Sequence, residues 1–122
     1  MPASPSPLLV PSPFSNPSSV DPEEAFVAAV SSCHMLTFLY LAAKRGLAVD
    51  RYTDEAVGTM VPNEAGVPWL STITLNVLVQ YRGHGGPSQE GEDTLHHEAH
   101  EQCFIANSIK SEVLIRRRDA GS

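Results

Sequence analysis

Apolar positions recur along this chain with two different periods. Over residues 25–43 nearly every position is apolar, and Phe26, Val30, Met35, Leu36, Phe38 and Leu41 fall on most sides of a 3.6-residue helix. Asp21-Pro22-Glu23-Glu24 supplies an N-cap, a proline at the first helical position and two acids at the positive end of the helix dipole. Lys44 and Arg45 suit the opposite end, and Gly46 can terminate it. The pattern predicts one helix over 21–45. A helix apolar nearly all round must be buried nearly all round, which in so short a chain points to a subunit interface.

After residue 50 the period shortens to two. Residues 51–61 read as a strand, and 62–66 (Pro-Asn-Glu-Ala-Gly) as a turn. Over 67–81, Ile73, Leu75, Val77 and Val79 alternate with Thr72, Thr74, Asn76 and Gln80, the pattern of a long half-buried strand. The two strands form a predicted hairpin. A glycine-rich loop over 83–91 leads to a second helix over 93–108, and 110–116 reads as a last strand. A hairpin between two helices predicts an α+β fold. Residues 1–20 are an extended tail, since 1–22 carry seven of the ten prolines and six serines. The domain spans 21–118, and 119–122 form a short tail.

The chain has 122 residues, 42% of them apolar, enough for one small domain. A net charge of −6 argues against a nucleic-acid partner, because phosphate binding needs a positive face. The dense basic run, Arg116, Arg117 and Arg118, reads as a solvated tail. No positive charge precedes Lys44, so a signal peptide is not expected. Ser31, Ser32, Cys33, His34 and Thr37 interrupt the apolar segment, which favours a buried helix over a membrane span. The expectation is a cytoplasmic chain with no membrane partner.

Two cysteines in a reducing compartment point to reactivity or burial more than to a structural staple. Cys33 sits about three turns into its helix, too deep for the dipole to activate it, and a buried core thiol is one reading. His34 is adjacent but points ~100° away around the helix. On the second helix, His96, His100 and Cys103 fall within about 60° of one another and could form a metal face, with a solvated helix bearing one buried thiol as the alternative.

Two stretches carry a family resemblance. Pro22-Glu23-Glu24-Ala25-Phe26-Val27-Ala28-Ala29-Val30-Ser31-Ser32-Cys33 resembles the first motif of the OsmC/Ohr family, in which a Pro-Glu helix start and an alanine-rich turn lead to a nucleophilic cysteine. His97-Glu98-Ala99-His100-Glu101-Gln102-Cys103-Phe104-Ile105-Ala106-Asn107-Ser108-Ile109-Lys110 resembles the second, where another cysteine precedes an Asn-Ser-Ile/Leu-Lys/Arg end. Together they span roughly residues 20–116, in the family's order and separation.

The resemblance implies an intertwined homodimer with the long helices buried between antiparallel sheets. It implies a peroxidase that reduces organic hydroperoxides, with no cofactor and no metal. Cys33 would be oxidised to a sulfenic acid, Cys103 would condense with it, and an external dithiol or lipoylated protein would reduce the disulfide. Glu23 matches the family's active-site glutamate. On one continuous helix it lies ~15 Å from Cys33, so it would act from the partner subunit, or else it only complements the dipole. The family's catalytic arginine lies ahead of the Pro-Glu motif, where this sequence has neither Lys nor Arg, so the leading strands are expected to be missing. Phe104 and Ala106 also stand where the family often has Pro and Ser. A catalytically weak or silent dimer that senses oxidants, or is purely structural, is the alternative. A His/Cys metal-binding protein is the third reading.

Overall fold

The computed structural model describes residues 22–83 and 86–118. The expected tails, the helix N-cap at Asp21 and the expected lack of leading strands all lie outside the described residues.

Helix α1 (Pro22–Lys44) begins on a proline and two acids, as the sequence pattern requires. Its end is closed by Gly46 at φ 75°, a left-handed conformation that costs glycine little. The Gly46 N–H donates to the Ala43 carbonyl and the Leu47 N–H to the Ala42 carbonyl, both at 3.0 Å. This bond pair satisfies carbonyls that the helix end leaves open. One stripe of α1 is buried: Val30, His34, Phe38, Leu41 and Ala42. Leu36 and Tyr40, on the opposite side, are 62% and 61% exposed. The all-round burial expected from the sequence is therefore not reached within one chain, because one sheet and one helix cover only one stripe. By length and composition α1 could also cross a membrane.

Strands β1 (Val49–Asp54) and β2 (Val57–Pro62) run antiparallel to the long β3 (Pro68–Tyr81). One register continues from β1 into β2, so they are two halves of a single interrupted strand. Asn76 of β3 bridges the interruption. Its carbonyl accepts from the Glu55 N–H at 3.0 Å and its side-chain amide donates to the Glu55 carbonyl at 2.8 Å. The predicted alternation of β3 is present, with Ile73, Leu75, Val77 and Val79 all facing the core.

Helix α2 (Gln89–Gln102) starts at Ser88, whose hydroxyl accepts from the Gly91 N–H at 3.0 Å. It ends six residues short of the expected boundary, and a 3-10 turn follows over Ala106–Ser108. Strand β4 (Glu112–Arg118) pairs with β3 in parallel, from Thr72↔Glu112 to Leu78↔Arg118. Helix α2 is the crossover that a parallel neighbour needs. The basic run belongs to this strand and is not a solvated tail. Arg117 Nε donates to Asp93 Oδ1 at 2.8 Å, and Arg118 Nε to the Asn76 carbonyl at 3.1 Å.

The core lies between one face of the sheet and the two helices, where Val30, Phe38, Leu95 and Ala99 meet the β3 side chains. This is a two-layer α+β architecture. It places the helix–helix seam, and the residues along it, above the long central strand.

Candidate active site

The packing of α1 on α2 brings the two thiols together. Cys33, on the third turn of α1, is partly exposed, and Cys103 is 1% exposed. Both are free, and their side chains lie close enough for Cys33 to act on the Cys103 thiol. Cys103 is the first residue beyond α2, with extended backbone at φ −74° and ψ 111°.

That backbone departure is held by the residues after it. The Asn107 amide donates to the Cys103 carbonyl at 2.9 Å and to the Glu101 carbonyl at 3.0 Å. The Asn107 N–H also donates to Cys103 O, at 3.1 Å. The Asn-Ser sequence thus caps α2 and turns the Cys103 side chain toward α1. Burial, then contact with Cys33, pushes the Cys103 thiol up to about 11. The backbone N–H groups of Ala106 and Ile105 pull the other way. Near neutral pH Cys103 is therefore a thiol, able to donate its S–H to Cys33.

Cys33 faces a hollow of about 390 Å³ lined by Ala29, Ser32, Leu36, Thr37, Phe104 and Ile105. The lining is mostly apolar, and Phe104 is 71% exposed at its rim. Such a surface can take an alkyl or aryl group beside the thiol.

Glu23 is not part of this arrangement. It is exposed on the first turn of a helix continuous through Cys33, and lines a different hollow of about 550 Å³ with Glu24, Ser31 and Asp54. One chain does not bring its carboxyl group to the thiols.

The metal face expected from His96, His100 and Cys103 does not form. Cys103 turns to Cys33 and His96 turns to His34. Among the described residues no three His, Cys, Asp or Glu side chains converge as metal ligands.

The pairing of His34 with His96 escaped the sequence reading. His34 Nε2 and His96 Nδ1 are 3.0 Å apart, both residues are buried, and their rings stack with centroids 5.2 Å apart. A signal was present: His34 lies four residues from both Val30 and Phe38 on the buried stripe, and a polar group there needs a partner.

A two-layer α+β domain with a cysteine pair on its helix seam defines the class. The sequence matches the OsmC-like protein family over residues 15–116, and the chain belongs to that family. Among solved structures it is similar to an OsmC-like protein of unknown function from Vibrio cholerae O1 biovar eltor. The identity is 47% and the TM-score 0.79, over 95% of this chain and 75% of that one. It is also similar in fold to the organic hydroperoxide resistance protein OsmC of Legionella pneumophila (18% identity, TM-score 0.65, 82% and 69% covered). The organic hydroperoxide resistance protein OhrB of Bacillus subtilis gives 19% identity and a TM-score of 0.60, with 82% and 70% covered. No match was found among the curated proteins.

Proposed function

We propose that this protein is a thiol peroxidase for organic hydroperoxides, with Cys33 as the peroxidatic residue and Cys103 as its resolving partner. The observation that carries the reading is the contact between the two thiols beside an apolar hollow. The Cys33 thiolate attacks the outer peroxide oxygen, the O–O bond breaks, and the alkoxide leaves as an alcohol after taking a proton. Cys33 becomes a sulfenic acid. The Cys103 sulfur, after giving up its proton, attacks the Cys33 sulfur. The S–O bond breaks, water leaves, and a disulfide remains. An external dithiol, such as a lipoylated protein, returns both thiols in the cytoplasm. The Legionella and Bacillus proteins of like fold are named as organic hydroperoxide resistance proteins, which agrees with this reading.

In this proposal the working unit is a homodimer, and Glu23 reaches the thiols from the partner subunit. The exposed Leu36, Tyr40 and Phe104 support it, since they leave an apolar surface beside the hollow.

A second reading, a weak or silent oxidant-sensing dimer, is favoured by one observation. Among the described residues, none that lines the Cys33 hollow is Lys, Arg or His, the side chains that commonly activate a thiol.

The test is one equivalent of cumene hydroperoxide followed by peptide mass spectrometry. A Cys33–Cys103 disulfide in the wild type, and a trapped Cys33 sulfenic acid in Cys103→Ser, are expected. An unmodified Cys33 with the peroxide intact rules the peroxidase out.

A further inference from the structure

The seam between α1 and α2 has one polar chain running through it. His34 of α1 meets His96 of α2 at 3.0 Å. Phe38 covers the His96 ring at a centroid distance of 4.4 Å. His96 Nε2 lies 3.5 Å from Glu92 Oε2, and the Tyr81 hydroxyl of β3 donates to Glu92 Oε1 at 2.9 Å. Glu92 is itself buried.

The proton positions follow from the acceptors. A carboxyl oxygen facing His96 Nε2 favours the proton there, which leaves His96 Nδ1 with a lone pair. His34 Nε2 must then donate to it. His34 Nδ1 is buried and has no partner. His34 then carries its single proton on Nε2 and is neutral.

We propose that His34 and His96 are positioning residues for the Cys33–Cys103 pair, and that a proton added to this chain opens the seam and separates the thiols. The proposal rests on the reading of these cysteines as a working pair, but not on peroxide as their oxidant. His34 directly follows Cys33, so locking its ring fixes the rotation and height of α1 at the thiol. His96 lies two turns before the end of α2, which Cys103 follows directly, and both face residues of α1. Apolar contacts along a seam can slide by a fraction of an ångström. A bond between two buried nitrogens cannot slide without leaving both unpaired.

The groups around His34 leave an added proton without a partner. His96 and His100 of α2 face His34 directly. Glu92 lies beyond His96; Tyr52 of β1, beside Asp54, and Tyr81 of β3 face Glu92, and Arg117 of β4 reaches Tyr81. The Glu92 carboxyl group is turned to His96 and Tyr81, and His34 Nδ1 faces no acceptor. Burial first, then His96 and His100, hold His34 down at about 3.

The test is diamide-driven closure of the Cys33–Cys103 disulfide in the whole chain, from about pH 8 down to about pH 3.5, where a His34 held at about 3 begins to take up the proton. Wild type, His34→Gln and His34→Phe are compared, with near-UV circular dichroism to check folding. The Gln amide nitrogen can stand where Nε2 stood, donate to His96 Nδ1, and take up no proton. It should match the wild type at pH 8, and its rate relative to wild type should rise as the pH falls. Taking the ratio cancels the thiolate chemistry common to both. His34→Phe keeps a ring but loses the donor, and should close about tenfold more slowly while folded. A folded His34→Phe closing at the wild-type rate overturns the positioning role. A His34→Gln ratio that stays flat with pH overturns the proton gate, even if His34→Phe does not fold. Normal diamide behaviour with an inert Cys33 under hydroperoxide removes the peroxidase reading and leaves this one standing.

Discussion

His34 sits between Val30 and Phe38 with its ring uncharged, and the unfolded chain has no reason to keep it so. The unfolded imidazole takes a proton near pH 6.5, whereas the folded one resists until about 3. Its folded value is depressed, so its contribution to stability is complete above pH 6.5. It is lost as the pH falls from 6.5 toward 3, at a limiting slope of about 1.4 kcal/mol per pH unit. Urea unfolding at several pH values should show this loss, and the His34→Gln variant should show a shallower one. The two proteins differ in this one side chain, so the difference between the curves reports the imidazole. Asn107 makes a separate case. Removing its amide in Asn107→Ala leaves the Glu101 carbonyl and one bond to the Cys103 carbonyl unmade. The expected cost is about 1 kcal/mol in thermal unfolding. A faster reaction of Cys103 with a thiol reagent should accompany it, because the turn that buries the sulfur loosens.

Between elements, α1 comes close to β2 at Gly58. A Cβ at Gly58 would stand 2.7 Å from Leu70 Cδ2 and 2.8 Å from Val27 Cγ2. Gly58→Ala should therefore push α1 off the sheet and destabilise by about 1–3 kcal/mol, measured by denaturant unfolding. Elements like these were legible to different depths. α1, its Gly46 stop and the alternation of β3 could be read because their determinants are local: a cap, a positive-φ glycine and a period of two. The end of α2 could not, because Phe104 and Ile105 continue an apolar pattern while the Asn107 amide, four residues on, pulls the Cys103 carbonyl out of the helix. The parallel pairing of β4 was equally invisible, since period-two alternation looks the same in either direction. In the site, the order of the two cysteine motifs was readable, but the contact of the thiols depends on how α1 and α2 pack. His34 and His96 are 62 residues apart, and no local pattern joins them.

At the scale of the whole molecule, the same helix that buries His34 leaves Leu36 and Tyr40 more than half exposed, with Phe104 close to Leu36 across the Cys33 hollow. None of the described elements covers this surface, and water is a poor neighbour for it. A second copy offers the same apolar stripe, so a two-fold pairing would cover both at once. Tyr40→Glu places a charge in that surface without touching the lining of the hollow. Light scattering should give twice the chain mass for the wild type and a single chain mass for the variant, and equal masses would sink the pairing. A two-fold pairing would also decide what Glu23 can do. Its helix keeps it ~15 Å from its own Cys33, so any catalytic effect must come across the interface. Glu23→Gln should then slow hydroperoxide consumption by about tenfold or more while leaving diamide closure of Cys33 and Cys103 unchanged. If instead Glu23 only complements the dipole of α1, the substitution costs a few tenths of a kcal/mol of stability and leaves the peroxide rate where it was.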